Sequence, residues 1–417
     1  MQIAEPSHSN MNTPPKARFL DRTTPPHIAT LILLAGLSAL AMNIFLPSLP
    51  GMAEYLEADY RLVQLSVALY LAVNAVFQVF IGPLSDKFGR RPIILGGLII
   101  FLLATLGCAL SGNVWVFLTF RMIQAAIVAA MVLSRAIVRD IVPQNQAASM
   151  IGYVTMGMAV VPMLGPAVGG VLDQAFGWQS SFWLLFVLGG AVLWLTWTDL
   201  GETAAKSEFS LAQQFREYPV LFRSPRFWGY AAASGLCSGA FFAYLGGAPY
   251  VGDHVFALDS AELGLYFGAP AIGYFAGNFL SGRYSVRIGV NRMVYWGTLI
   301  NAGGILLNLL LFYAGLGTAL SFFGLMTLMG LGNGMAIPNA TAGALSVRPH
   351  LAGTASGLSG ALMIGIGAAL SALAGALLTP GSGAFPLLWI MLITALMAVV
   401  AILLVMRRER RMRMSMS

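Results

Sequence analysis

Residues Gly82 to Arg91 read GPLSDKFGRR, a polar, glycine-rich and basic stretch set between two long, mostly apolar runs. A segment of that kind between two apolar runs predicts a tight cytoplasmic turn joining two membrane helices. Two hundred residues further on, Gly282 to Arg292 reads GRYSVRIGVNR, so that Gly82, Ser85, Lys87 and Gly89 recur as Gly282, Ser285, Arg287 and Gly289. A degenerate copy in the second half implies a chain built twice.

Composition agrees with this reading. Of 417 residues, 58% are hydrophobic and only 9% charged, with a mean hydropathy of +0.78; soluble globular proteins carry roughly 25% charged residues. The chain is therefore expected to be an integral membrane protein. Apolar segments long enough to cross a hydrocarbon core of ~30 Å recur throughout, and lipid requires each to be a helix that satisfies its own backbone. A β-barrel would alternate apolar and polar residues instead. Twelve spans are expected, at 28–48, 63–82, 93–112, 116–135, 150–171, 183–200, 227–246, 262–281, 293–313, 320–341, 354–376 and 385–406.

The resulting fold class is all-α, with twelve transmembrane helices in two pseudo-symmetric six-helix bundles. The bundles are placed at 28–200 and 227–406, joined by a polar cytoplasmic linker at 201–226 that is partly helical around Leu211 to Tyr218. A tail at 1–27 and a basic tail at 407–417 complete the chain. The first 27 residues are polar and proline-rich, so no cleavable signal is read there and the first helix is expected to direct its own insertion. Cys108 and Cys237 both fall within apolar runs, where a small buried residue is expected rather than a disulfide.

Orientation follows from the basic residues. With the N-terminus in the cytoplasm, all of the 23 Lys and Arg except Arg61 and Arg121 fall on the cytoplasmic side or at its helix ends. Such a bias fixes both termini inside. The formal charge of +7 then faces anionic lipid headgroups, and no nucleic-acid partner is needed to explain it.

Several residues stand out within the spans. Ser66, Tyr70, Asn74 and Gln78 recur every fourth position of the second span and form one polar stripe. The stripe serves either to glue helices together or to line a water-filled path. Tyr274 and Asn278 lie 200 residues beyond Asn74 and Gln78, as a shared lining would require. Arg121 is the sharpest single residue, a guanidinium about 8 Å inside the fourth span at 1.5 Å per residue. Intramembrane charges mark functional sites, although snorkelling to the headgroups is the alternative. Gln124 follows one turn later; Asn43 lies as deep in the first span as Arg121 does in the fourth, so that Asn43 and Arg121 could face one another. None of the 16 Asp and Glu falls near the middle of a span.

The fifth span holds Pro162, then GPAVGG from Gly165 to Gly170, with Gly165 and Gly169 spaced for close helix contact and Pro166 for a bend. Gly353, Gly357 and Gly360 suggest the same of the eleventh span. Phe241, Phe242 and Tyr244, with Tyr266, Phe267 and Tyr274, are either core or the adaptable wall of a cavity for flat, lipophilic compounds. The inner loops are too short for a catalytic domain, no metal-ligand cluster is present and no phosphate-binding loop precedes a helix, so neither an enzyme nor a cofactor is expected.

Together these motifs resemble those of the major facilitator superfamily. Gly82, Leu84, Asp86, Gly89, Arg90 and Arg91 resemble its cytoplasmic loop motif, Arg121 and Gln124 its RxxQ motif in span four, and Gly165, Pro166, Gly169 and Gly170 its antiporter motif in span five. With NIFLPSLP at Asn43 to Pro50, they point to the twelve-helix drug:proton antiporters of the bicyclomycin/chloramphenicol resistance (Bcr/CflA) branch. Two positions depart from the pattern: Asn43 stands where the branch often has an acid, and Ala125 where a glycine normally follows the glutamine.

The resemblance implies a monomer in the bacterial inner membrane whose bundles rock about a central cavity, with inward proton flow driving small molecules outward. Asp86 would sit near the N-terminus of span eleven and Arg90 or Arg91 would pair with Asp140. The alternative, read from the residues, is a carrier or exchanger of an anionic metabolite with Arg121 as the counter-charge, not driven by protons.

Overall fold

The computed structural model describes residues 18–141, 161, 164–203, 219, 221, 223–348 and 352–414. Among these, every regular element is helical. The N-terminal half contains α1 (Ile28–Asn43), α2 (Leu49–Tyr55), α3 (Tyr60–Phe88), α4 (Arg90–Ala109), α5 (Val114–Gln124), α6 (Val128–Ile141), a helical stretch at 164–176, and α7 (Gln179–Asp199). The C-terminal half contains α8 (Pro225–Phe256), α9 (Ser260–Tyr266), α10 (Ala269–Ile288), α11 (Val290–Tyr313), α12 (Ala319–Ser346), α13 (Ala352–Leu377) and α14 (Phe385–Met414). Ten helical segments among the described residues are long and apolar enough to cross a membrane. Of the expected fifth span the stretch 164–176 is described, and α9 with α10 covers the expected eighth. Pro162 and the linker helix expected at Leu211 to Tyr218 lie outside the described residues.

Three expected features are corrected by the backbone. Gly82 to Arg91 is not a loop: α3 runs on through Pro83 to Phe88, and Gly89 alone separates it from α4. Gly89 has φ 97° and ψ 153°, a region that essentially only glycine enters, and Gly289 repeats it at φ 91° and ψ 145° between α10 and α11. The duplicated element is thus a one-residue reversal, which lets the helices extend to the polar residues. The expected single first and eighth spans are each broken near a proline. Pro47 and Pro50 follow the end of α1, and Pro270 opens α10, where a missing N–H costs nothing. Span four is interrupted by a 3₁₀ turn at Ala125–Ile127, directly after Gln124.

Each half is tied at the face that bears both termini by a carboxylate at the end of its last helix. Asp199, fully buried, accepts from the Leu20 and His27 amides at 2.9 Å each and from the Thr30 hydroxyl at 2.6 Å. In the second half, Glu409 pairs with Arg226 at 2.7 Å and accepts from Asn291 at 2.6 Å and Tyr230 at 3.1 Å.

Close backbone packing concentrates in the second half, around α12. Gly273 and Gly277 of α10 meet the α12 backbone at Thr327 and Leu331, while Gly330 and Gly334 of α12 meet Pro270 and Tyr274 in return. On its other side Gly332 meets Gly297 of α11. A Cβ at any of these six positions would come under 3.0 Å from a backbone atom. With no hydrophobic drive between helices in lipid, such backbone approach is what holds them together. By contrast, Gly82 and Gly357 have open space where a Cβ would go. Overpacking typically costs 1–3 kcal/mol, so Gly330→Val should destabilise the purified protein by about that energy and lower its thermal midpoint, while Gly82→Ala should leave the midpoint unchanged. Detergent thermal unfolding followed by size exclusion distinguishes the two.

Candidate functional site

Arg121 occupies the middle of the N-terminal half. Asn113 caps α5 through its side chain, and two turns later the helix carries Arg121 inward to 1% exposure. The guanidinium is sandwiched between two rings, with its carbon 4.3 Å from the Phe45 centroid and 4.1 Å from that of Tyr70. One amino group donates to the Gln124 side-chain oxygen; Gln124 in turn donates to the Thr105 hydroxyl at 2.8 Å, which donates to the Phe101 carbonyl at 2.6 Å. Arg121 forms no ion pair among the described residues, and its Nε and second amino group have no hydrogen-bond partner.

Desolvating a cation costs several kcal/mol. A desolvated cation–π face returns about 2 kcal/mol and a charged hydrogen bond ~1.5–3, so two rings and one amide are comparable to the cost without a carboxylate.

Arg121 is enclosed in protein, which rules out the snorkelling alternative, and the Phe45 ring from the segment after α1 lies against it. Asn43 is also fully buried, but its amide nitrogen donates to its own helix at Ala39, 2.7 Å away, and its oxygen has no partner. Residues 44–48, where α1 breaks, carry the Phe45 ring to the guanidinium.

The stripe of α3 divides. Ser66 and Tyr70 are buried with unpartnered hydroxyls, whereas Gln78 donates to Asn74 at 2.9 Å. In the second half Asn278 donates to the Tyr274 carbonyl at 2.8 Å within its own helix. Phe242, Tyr244 and Phe267 are buried core, Tyr244 and Phe267 with ring centroids 5.3 Å apart.

The two halves meet closely on the face opposite the termini. Gln64 of α3 donates to the Ser371 carbonyl of α13 at 2.7 Å and to its hydroxyl at 3.1 Å, and lies against Gly375. Tyr60 donates to the Gly246 carbonyl at 3.3 Å. In the fifth span, Gly165 and Gly169 pack on α1 at Leu40 and Ile44, while Gly170 meets the Ser260 carbonyl and Pro166 meets Gly264 across the bundle boundary. The glycine motif thus serves both contacts at once.

At the terminal face Arg90 binds Asp86 at 2.6 Å and Asp140 at 3.2 Å, and donates to Ser85. Arg91 stacks 5.0 Å from Trp197 and donates to the Leu200 and Trp197 carbonyls at 2.8 and 3.1 Å. Arg90 is therefore the partner of Asp140, and among the described residues it is also the ion-pair partner of Asp86. Phe45, Gln64, Thr105 and Glu202 were missed by sequence reasoning. Gln64 had a signal, lying on the helix that carries the stripe; an isolated Phe or Thr among apolar residues had none. Gln124→Leu should leave the guanidinium without a polar partner and cost about 1.5–3 kcal/mol, whereas Tyr70→Phe, which keeps the ring and removes an unpartnered hydroxyl, should be near neutral. Thermal unfolding of the two variants checks this.

The profile of the Major Facilitator Superfamily matches residues 31–372 and 254–414. The chain is 31% identical over 353 residues to the chloramphenicol resistance protein of Pseudomonas aeruginosa, covering 81% of this chain and 83% of that one. It is 30% identical over 371 residues to multidrug resistance protein D of Escherichia coli (strain K12), covering 86% and 90%. The solved structure of the peptide transporter POT in complex with sulfate superposes with a TM-score of 0.77 at 13% identity, over 92% of this chain and 94% of that one, and shares the fold. The chain is a multi-pass membrane protein of the major facilitator superfamily, a family of transporters rather than enzymes.

Proposed function

We propose that this transporter exports small lipophilic or amphiphilic compounds from a bacterial cell across the inner membrane, by alternating access and coupled to inward proton flow. Relatives named for chloramphenicol and multidrug resistance across most of the chain support the substrate class. The observation that carries the reading is Arg121, buried between two aromatic rings with spare donors and no carboxylate among the described residues. Such a residue is costly to keep unless it is used. In this proposal both termini are cytoplasmic, the protein works as a monomer, and opening of the contacts around Gln64 and Gly170 admits solvent to Tyr70, Asn43 and Arg121.

Tyr274 and Asn278 would face the same path from the second bundle, with Asn74, Gln78 and Gln124 completing the polar lining. The cluster of Asp86, Arg90, Arg91 and Asp140 behind Gly82 and Gly89 acts as the inner latch. In the glycine-rich fifth span Pro162, Gly165, Pro166, Gly169 and Gly170 form the moving joint.

A second reading rests on the same guanidinium. Its unpartnered Nε and amino group are the donors that a bound carboxylate would take, which favours exchange of an anionic metabolite. Everted vesicles separate the two: export of an amphenicol or lipophilic dye that collapses with the pH gradient supports drug antiport, and gradient-insensitive carboxylate exchange supports the alternative. Arg121→Ala should abolish export in an efflux-deficient host. Asn43→Asp, which places a titratable group where an amide stands, should strengthen or create pH dependence; parental behaviour of both variants would remove the pair from the mechanism.

A further inference from the structure

At the terminal face of the second half, α8, α11, α12 and α14 surround an open cavity of about 520 Å³. Arg226, Arg292 and Arg410 line it, against the single carboxylate of Glu409, with Tyr230 and Ser346 adding hydroxyls. Glu409 is already committed to Arg226, Tyr230 and Asn291. The Arg226 Nε is buried without a partner, and Arg292 and Arg410 make no hydrogen bond or ion pair among the described residues.

The first half shows what the matching place holds. There, beside Gly89, the Glu202 carboxylate accepts from the Arg90 amide at 2.8 Å and the Arg91 amide at 3.3 Å, and fills the space where a Cβ on Gly89 would stand. At Gly289, with the same backbone conformation, no described atom lies within 4 Å of that position. The 24-residue helix α11 that follows has no side-chain cap and no acid in its first turn. Among the described residues, then, the place that the Glu202 carboxylate fills beside Gly89 is open beside Gly289, and the cavity there holds three arginines against the one carboxylate of Glu409.

We propose that this cavity binds a phosphate group, presented by an anionic phospholipid headgroup or by free phosphate. Guanidinium groups pair with phosphate through parallel N–H donors, the free amides at the start of α11 add partial positive charge, and basic pockets between membrane helices suit lipid headgroups.

The test uses the full-length protein in detergent, titrated separately with phosphatidylglycerol, phosphatidylcholine and inorganic phosphate while binding is read as a shift in thermal midpoint. Arg292→Gln with Arg410→Gln should weaken binding about tenfold or more, the loss expected for one charged contact. Arg407→Gln with Arg408→Gln, on the same tail but outside the cavity, should leave it intact. Arg410→Gln alone, at an exposed position, reads the same effect should the double variant fold poorly. A response to phosphatidylglycerol but not to inorganic phosphate assigns the headgroup, and a response to inorganic phosphate assigns the free ion. Absence of both responses, or equal loss in the cavity and tail variants, overturns the proposal.

Discussion

The constraint on which the rest of the structure depends is the seal between the two bundles on the face away from the termini. Gln64 spends its amide on Ser371 and lies flat against Gly375, and Gly170 and Gly264 bring the fifth and eighth spans into backbone contact. In lipid there is no hydrophobic gain from joining helices, so packing and hydrogen bonds alone hold such a seam. In the proposed transport cycle this is the seam that parts.

Behind that seam the guanidinium of Arg121 is held in a shell that is adequate but not generous. The rings of Phe45 and Tyr70 and one oxygen of Gln124 offset desolvation, yet among the described residues two guanidinium donors and the hydroxyl of Tyr70 have no partner. Unpartnered buried polar atoms are uncommon in folded proteins because each costs about 1–3 kcal/mol. Their accumulation around one charge links the packing of the first bundle to the proposed transport path. Tyr70 belongs to α3, the helix that also carries Gln64 into the seal, so movement at the seam reaches the charge through one rigid element.

Much of this was legible in the residues themselves. Hydropathy and the Lys/Arg bias gave twelve crossings and two halves, because helix length and the cost of placing charge in lipid leave little choice. Arg121 stood out for the same reason. What could not be read was which rings would meet it: α1 ends at Asn43, and the turn that follows, ahead of Pro47, presents Phe45. The polar stretch at Gly82 to Arg91 looked like a loop because polarity signals water, not backbone conformation; only Gly89 leaves the helical region. The spacing of Gly165 and Gly169 correctly implied close contact, whereas Gly273, Gly277, Gly330 and Gly334 carry the same spacing and were overlooked among 47 glycines.

The seal is also where the account is most exposed to test. With Cys108 and Cys237 replaced by alanine, Gln64→Cys and Ser371→Cys place two thiols across the seam, where a short bifunctional thiol reagent with a cleavable disulfide can bridge them. Export measured in the same vesicles before bridging, after bridging and after reduction should be present, absent and restored. Export at the unbridged rate from fully bridged protein would contradict a mechanism in which the two bundles part at this face.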